Sequence, residues 1–309
     1  MKLAVTAAAA LLTVIGAAVF VLAFIKGKSE YEEWIEPLDE KEFRVKSFLP
    51  VGLFLSERIS LLRIMPKMLQ EYLRKYNARV FSQTAELYGK QDADNYFEIH
   101  CACRWVYSLL AFVFLGLFSL ISCSNDEIPS AVVFLALSPI SLCVMPFLAD
   151  QELKDKIEKR RDQIQLELPE FINKLILLVN AGSTIPKAWS KIVADSKSDS
   201  ALFRELRICE AEIGAGKSEA VAYEEFARRC KVKEAIKFTS LIVLNLRKGG
   251  SEVVPAMRVQ SDECWEARRA TARRLGEKAS SKLLIPMAIM LFGIIIIVAL
   301  PAVLSLMGV

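Results

Sequence analysis

Four long stretches of the sequence contain no charged residue, and this feature restricts the fold more than any other. They cover residues 3–25, 105–124, 128–149 and 283–309. At a rise of about 1.5 Å per residue, each stretch can cross a hydrocarbon core about 30 Å thick as an α-helix. Buried helices of soluble proteins rarely run about 18 residues without a charge. The sequence therefore predicts an integral membrane protein with four transmembrane helices.

The charged residues lie almost entirely between these stretches, although the chain is 53% hydrophobic and 25% charged overall. We predict a transmembrane anchor at 1–25, a helical segment at 26–104, a transmembrane hairpin at 105–149, a helical domain at 150–282 and a last span at 283–309. The first stretch exceeds the 7–15 apolar residues of a cleaved signal peptide, so we expect it to stay in the protein as an anchor.

The positions of the basic residues predict how the spans are oriented. The short loop between the second and third stretches carries Asp126 and Glu127 and no Lys or Arg. Basic residues flank the other ends: Lys26, Lys28, Arg104, Lys154, Lys156, Lys159, Arg160, Arg161, Lys278 and Lys282. The positive-inside rule then places 26–104 and 150–282 in the cytoplasm and both termini outside.

Residues 26–104 begin with an acidic stretch, YEEWIEPLDEKE, which we expect to be a linker, and continue with one or two helices before Gly89. Residues 150–282 carry repeated helix ends and starts. The first helix of this domain places Ile164, Leu168, Phe171, Ile172, Leu175, Ile176 and Val179 on one face. A later helix, at about 232–247, is expected to bury Ile236, Thr239, Val243 and Leu246. Six helices and no convincing strand predict an all-α fold, a cytoplasmic six-helix bundle.

The segment EIGAGKSEAV, residues 212–221, superficially resembles a phosphate-binding loop. That loop needs G-x-x-x-x-G-K-[ST] after a strand, and the position five residues before Gly216 is Ala211. The residues before it, FRELRICEAEI, have the pattern of an amphipathic helix. The glycines are better explained as the end of one helix, with Ser218 capping the next.

No other residue pattern indicates an enzyme, a metal site or a nucleic-acid surface. His100, Cys101 and Cys103 lack a second pair of ligands at a matching spacing. No nucleophile has a recognisable base, and basic residues only slightly outnumber acidic ones in 150–282. We therefore expect no enzymatic activity, no cofactor and no nucleic-acid partner. The alternative function is a multispan transporter or channel subunit, which the absence of ionisable residues in the spans disfavours.

Three segments resemble the type II secretion system F-domain family, in particular the smaller platform subunits of tight-adherence (Tad, or Flp) pilus systems. They are LPEFINKLILLVNAGSTIPKAW at 168–189, GKSEAVAYEEFARRCKVKEAIKFTSLIVLNLRKGGSEVVPAM at 216–257 and KLLIPMAIMLFGIIIIVALPAVLSL at 282–306. The resemblance covers residues 150–309. Its single F domain, where the type II secretion version carries two, favours the Tad branch.

The resemblance implies an inner-membrane platform protein that couples a cytoplasmic secretion ATPase to pilin assembly or protein secretion. It also implies a paralogous platform subunit and pilin-like subunits as partners, within a homo- or hetero-oligomer.

Two groups of basic residues are candidates for contacts with these partners or with lipid. Lys217, Arg247 and Lys248 lie at expected helix ends, where exposed turns often carry binding function, so we predict that they contact the ATPase. Five others form a stripe on the last helix beside the membrane: Arg269, Arg273, Arg274, Lys278 and Lys282. Anionic lipid headgroups explain this stripe better than a protein partner does.

Overall fold

The computed structural model describes residues 2–35, 46–59, 67–89, 92–125, 128–248 and 253–306. In order, its helices are α1 (Lys2–Ile35), α2 (Leu49–Ile59), α3 (Lys67–Tyr88), α4 (Ala93–Ser124), α5 (Ile128–Asn180), α6 (Ile185–Asp195), α7 (Ala201–Gly214), α8 (Glu219–Cys230), α9 (Lys233–Lys248) and α10 (Val253–Leu306). A short 3-10 helix, Lys46–Phe48, precedes α2. No strand occurs in the described residues, which confirms the all-α prediction.

Four of these helices are long and apolar enough to cross a membrane, as the sequence predicts. The segments are Val5–Lys28, Ala93–Ser124, Ile128–Asn180 and Val254–Ala299. Each lies in a helix that runs past its uncharged stretch; α5 and α10 reach 53 and 54 residues. The spans therefore continue as helices into charged sequence.

The acidic stretch predicted as a linker is partly helical, because α1 continues to Ile35. Extending an existing helix adds a hydrogen bond for each residue fixed, and no breaker occurs before Pro37. Residues 36–45, the rest of that stretch, lie outside the described residues. So do residues 249–252, between α9 and α10.

The chain divides into two compact units, residues 1–158 and residues 159–309, with the division inside α5. In the first unit, α1, α2 and α4 pack against one another. Its buried core includes Leu49, Val51, Ile99 and Val106. Helix α3 adds a small cluster in which Val80 packs with Leu153 and Ile157 of α5.

The second unit is a bundle of six helices, formed by the end of α5 with α6 to α10. Aromatic side chains fill its core: Trp189, Tyr223, Phe171, Phe226 and Phe238 are each at most 1% exposed. On α5, the predicted apolar face is buried from Ile164 to Ile176. Helix α7 begins at Ala201, with Ser200 as its N-cap.

The predicted buried face of α9 is partly wrong. Thr239 and Val243 are buried, but Ile236 is 48% and Leu246 is 38% exposed. The helix instead turns Phe238 and its neighbours Ala235 and Ile242 into the core. The aromatic ring of Phe238 packs edge-on against Phe171, and this large contact sets the rotation of α9.

Candidate functional site

The turn at Gly214–Ser218 is closed by its own backbone hydrogen bonds. Gly216 has a φ of +90°, and its N–H donates to the carbonyl of Ile213 at 2.9 Å. The N–H of Lys217 donates to the carbonyl of Glu212 at 3.1 Å. This pair of bonds is the Schellman motif, which ends a helix with a left-handed glycine. These N–H groups are used in ending α7, whereas a phosphate-binding loop directs its N–H groups at the anion.

The turn between α5 and α6 has the same construction. Gly182 has a φ of +91°, and its N–H donates to the carbonyl of Val179 at 3.0 Å. The N–H of Ser183 donates to the carbonyl of Leu178 at 3.0 Å. Glycine turns of one type, between α5 and α6 and between α7 and α8, therefore end two helices of this bundle, which agrees with the interpretation of GAGKS as a helix end.

Two carboxylates hold the side chain of Lys217. Its Nζ donates to Glu212 at 3.2 Å and makes a closer hydrogen bond to Glu225. The hydrogen bond between Lys217 and Glu225 raises the pKa of the lysine and lowers the pKa of the glutamate. The Lys217 side chain is only 31% exposed, so its ammonium already has partners on α7 and α8.

Behind Lys217, a partly buried ion-pair network joins α5, α7 and α8. Glu205 accepts hydrogen bonds from Arg160 at 2.6 Å and from Arg229 at 2.7 Å. Arg229 also donates to Glu212 at 3.1 Å. Burial opposes the charge of Arg229, but Glu205 and Glu212 hold its pKa above the usual value. We call the six residues of this site the charge network: Arg160, Glu205, Glu212, Lys217, Glu225 and Arg229.

Of the charge network, only Lys217 was predicted from the sequence as a candidate site residue. A sequence clue does exist, because Glu205 lies on the same stripe of α7 as Leu202, Leu206 and Cys209, which are all buried. A carboxylate on a buried stripe needs a cation or several donors, since an unpaired buried charge is unfavourable. The clue predicts that Glu205 has a partner, but it does not identify Arg160, which is 45 residues away.

Arg247 and Lys248 are the last two residues of α9. Their side chains lie outside the part of the chain whose side chains are described. That Lys217, Arg247 and Lys248 contact an ATPase therefore stays a prediction.

The basic stripe on α10 has two kinds of member. Arg274 makes a close ion pair with Asp162 of α5, whose side chain is 8% exposed. Arg273 pairs along the helix with Glu277 at 3.1 Å and is 83% exposed. The remaining three stripe residues, Arg269, Lys278 and Lys282, are exposed. Arg274, although its side chain is 46% exposed, therefore ties α10 to α5, and the other four side chains are exposed as well.

His100, considered as a metal ligand, lies beside an acid in the first unit. Its Nε2 is 2.9 Å from Asp150, and Arg104 Nε is 3.7 Å from the same carboxylate. Among the described residues, no three His, Cys, Asp or Glu side chains are grouped as metal ligands would be.

Residues 171–301 match the family model of type II secretion system (T2SS), protein F. The match begins in the last turns of α5, spans the whole of α6 to α9 and ends in α10, so it coincides with the bundle and the span that follows it. It supports the resemblance to the F-domain family, which is a family of structural platform proteins. No curated protein and no solved structure matches the chain.

Proposed function

We propose that this chain is an inner-membrane platform protein of a Tad-like pilus or type II secretion machine. In this role it couples a cytoplasmic secretion ATPase to pilin assembly or protein secretion. The observation that carries the proposal is the match to protein F over residues 171–301, which is where a helical bundle continues into a membrane span. The single F domain favours the Tad branch. The partners are a paralogous platform subunit, pilin-like subunits and the ATPase, in a homo- or hetero-oligomer.

Helix α10 provides the mechanical connection that this role needs. It runs without a break from Val253 to Leu306, about 80 Å at the usual helical rise. Pro286 lies within it and does not end it. When the bundle end of such a helix is displaced, its membrane end moves as well, because the hydrogen bonds along the helix resist local bending.

Polar contacts hold the first half of α10 against α5. Ser261 donates to Asn173 at 2.5 Å, and Thr271 donates to Gln165 at 2.6 Å. The ion pair of Arg274 with Asp162 extends this row towards the membrane span. Force applied to the bundle is thus transmitted to α10 through several contacts rather than one.

The distribution of basic residues supports an orientation in which the bundle faces the cytoplasm and both termini face outside. The bundle is then on the side where an ATPase has its nucleotide. Arg269, Arg273, Lys278 and Lys282 contact anionic lipid headgroups, each contributing about 1 kcal/mol near the surface. An alkaline phosphatase fused after residue 309 is active in this orientation and inactive in the opposite one.

The predicted motor contact can be tested at Lys217, Arg247 and Lys248. Reversing Lys217 to glutamate would place a third acid between Glu212 and Glu225, so Lys217→Gln is the cleaner change. We expect Lys217→Gln combined with Arg247→Glu and Lys248→Glu to lower both ATPase co-purification and pilus assembly or secretion by about tenfold or more, since about 1.4 kcal/mol of lost binding is tenfold.

The matched control is Lys187→Glu with Lys191→Glu, which changes charge at two exposed positions of α6. This control should leave co-purification and assembly unchanged. If the triple variant behaves like the control, Lys217, Arg247 and Lys248 do not form the motor contact. If the wild-type chain co-purifies with no ATPase, the platform role itself is wrong.

A further inference from the structure

Helix α2 is a short apolar helix between two charged regions. With the 3-10 helix before it, it has the sequence KSFLPVGLFLSERI, in which the residues from Phe48 to Leu55 carry no charge. Leu49, Val51 and Leu53 are at most 4% exposed. At 11 residues, α2 is far too short to span a bilayer, so its apolar character needs another explanation.

Two glycines allow the backbone of α2 to contact the backbones of the first two spans directly. A Cβ at Gly27 of α1 would overlap the carbonyl oxygen of Pro50, and one at Gly52 would overlap the carbonyl oxygen of Ala102 on α4. Only glycine permits such close approach of two backbones. The position of α2 along α1 and α4 is therefore fixed by these contacts.

The contacts of α2 reach into the uncharged stretches of both spans. Val51, Phe54 and Leu55 belong to one apolar cluster that also contains, from α1 and α4, Phe20, Ala23, Phe24, Val106 and Leu110. Phe20 lies six residues before Lys26, and Leu110 lies six residues after Arg104, which is about 9 Å along each helix. Part of α2 thus packs beside the uncharged stretches of both spans.

The outer side of this region remains apolar. Phe48 is 37% exposed and packs against Phe20 and Phe24, with ring centroids 5.7 and 6.3 Å apart. At the same level of α1, Leu22 and Ile25 are 58% and 63% exposed. Exposed apolar side chains thus occur at this level both on the 3-10 helix, at Phe48, and on α1, at Leu22 and Ile25.

We propose that the segment Lys46–Ser56 is an interfacial membrane helix, whose exposed Phe48 and partly buried Phe54 and Leu55 contact the acyl chains of bilayer phospholipids. Lys26 and Lys28, which are exposed at the end of the first span, lie beside the anionic headgroups. Interfacial helices bury their apolar side about 5–10 Å below the headgroups, which agrees with the depth reached along α1 and α4. The predicted cytoplasmic segment at 26–104 then begins its water-exposed part after α2.

The direct test uses the wild-type protein in phosphatidylcholine and phosphatidylglycerol vesicles that contain a phospholipid with a photoactivatable diazirine in its acyl chain. After irradiation, mass spectrometry locates the labelled peptides. We expect labelling at Phe48, Phe54 or Leu55, at a yield within about threefold of Ile285–Val298 in the last span. Peptides from α6 serve as the aqueous control. Labelling of residues 46–56 at the α6 level would overturn the proposal.

A nitroxide label gives an independent measurement of the same depth. The label is placed at Phe48→Cys in a background in which Cys101 and Cys143 are alanine, because these two of the seven cysteines are not buried. We expect molecular oxygen to relax this label more than a water-soluble nickel chelate does, as it should for Ile289→Cys in the last span. Stronger relaxation by the nickel chelate than by oxygen, as expected for Lys191→Cys on α6, would overturn the proposal. Weak relaxation by both reagents would also overturn it, because it indicates that a protein partner covers Phe48.

Discussion

The helices of the two units are packed in different ways, each unit taken by itself. In the first unit, helices approach closely because side chains are small or absent: Gly52 meets the Ala102 carbonyl, and Gly116 meets the side chain of Thr13. In the second unit, helices are kept apart and joined by large buried rings, with Trp189 in contact with Phe171, Tyr223 and Phe226. The charge network adds buried ion pairs to that core.

Three of the four candidate spans lie in the first unit, whereas the bundle of the second unit is rich in charged residues, and the two kinds of packing suit these two compositions. Between helices in lipid, burying a large apolar side chain gains little, because the acyl chains are equally apolar. Close packing of backbones then provides the stabilising contacts. In water, burying a large ring removes apolar area from the solvent and stabilises the fold directly. Large buried side chains therefore stabilise the second unit. In the first unit, small residues stabilise the packing because they let the helices approach closely.

The largest effect is expected from removing volume in the second unit. Trp189 is 1% exposed, and Trp189→Ala would leave a cavity in the centre of the bundle. We expect it to lower the free energy of unfolding by about 3–5 kcal/mol. Hydrogen exchange of α6 to α8 in the full-length protein in nanodiscs measures this loss.

Tyr223→Phe is the matched control for this change. It keeps the ring and removes a hydroxyl that is buried without a hydrogen-bond partner in the described structure. Burial raises the pKa of this hydroxyl, so it stays neutral. Because an unsatisfied buried hydroxyl is unfavourable, Tyr223→Phe should leave the stability unchanged or raise it by about 1 kcal/mol. A loss below about 1 kcal/mol for Trp189→Ala would show that ring volume does not hold this unit together.

An intermediate effect is expected from adding volume in the first unit. Gly52→Ala forces a methyl group against the Ala102 carbonyl, and overpacking of this kind destabilises by about 1–3 kcal/mol. Faster hydrogen exchange in α2 and α4 measures it. Gly276→Ala on α10 is the control, since a Cβ there meets nothing within 4 Å and alanine favours a helix by about 0.5–1 kcal/mol. Equal behaviour of the two variants would contradict backbone packing as the stabilising feature.

The smallest effect concerns the charges at the surface of the second unit. The pKa of Glu225 is lowered in the folded state by Lys217, so this pair stabilises the fold above the unfolded pKa of about 4.3 and loses that effect as the pH falls through the folded value. The melting temperature of the wild-type protein should therefore drop more steeply between about pH 5 and pH 3 than that of Lys217→Gln. Lys191→Gln, at an exposed position of α6, should follow the wild-type curve. Parallel curves for all three proteins would mean that the Lys217–Glu225 pair contributes nothing to stability.

The helix ends were predictable because they depend on neighbouring residues. Gly182 and Gly216 supply the left-handed residue that ends a helix, and Ser200 and Ser218 supply the oxygen that starts the next one. The candidate site was predictable only in part. Lys217 was identified by its place in a turn, but its partners Glu212 and Glu225 were found only when α7 and α8 were brought together.

The sequence by itself determined that this chain is an all-α membrane protein with four spans, because length and lack of charge are properties of a continuous stretch. It also predicted the helical bundle before the last span. Tertiary structure alone decided which side of α9 is buried, which cations neutralise Glu205, and where α2 lies along the first two spans. Each of these depends on a contact between residues far apart in the sequence, such as Phe171 with Phe238 or Gly52 with Ala102, and local periodicity contains no information about such a partner.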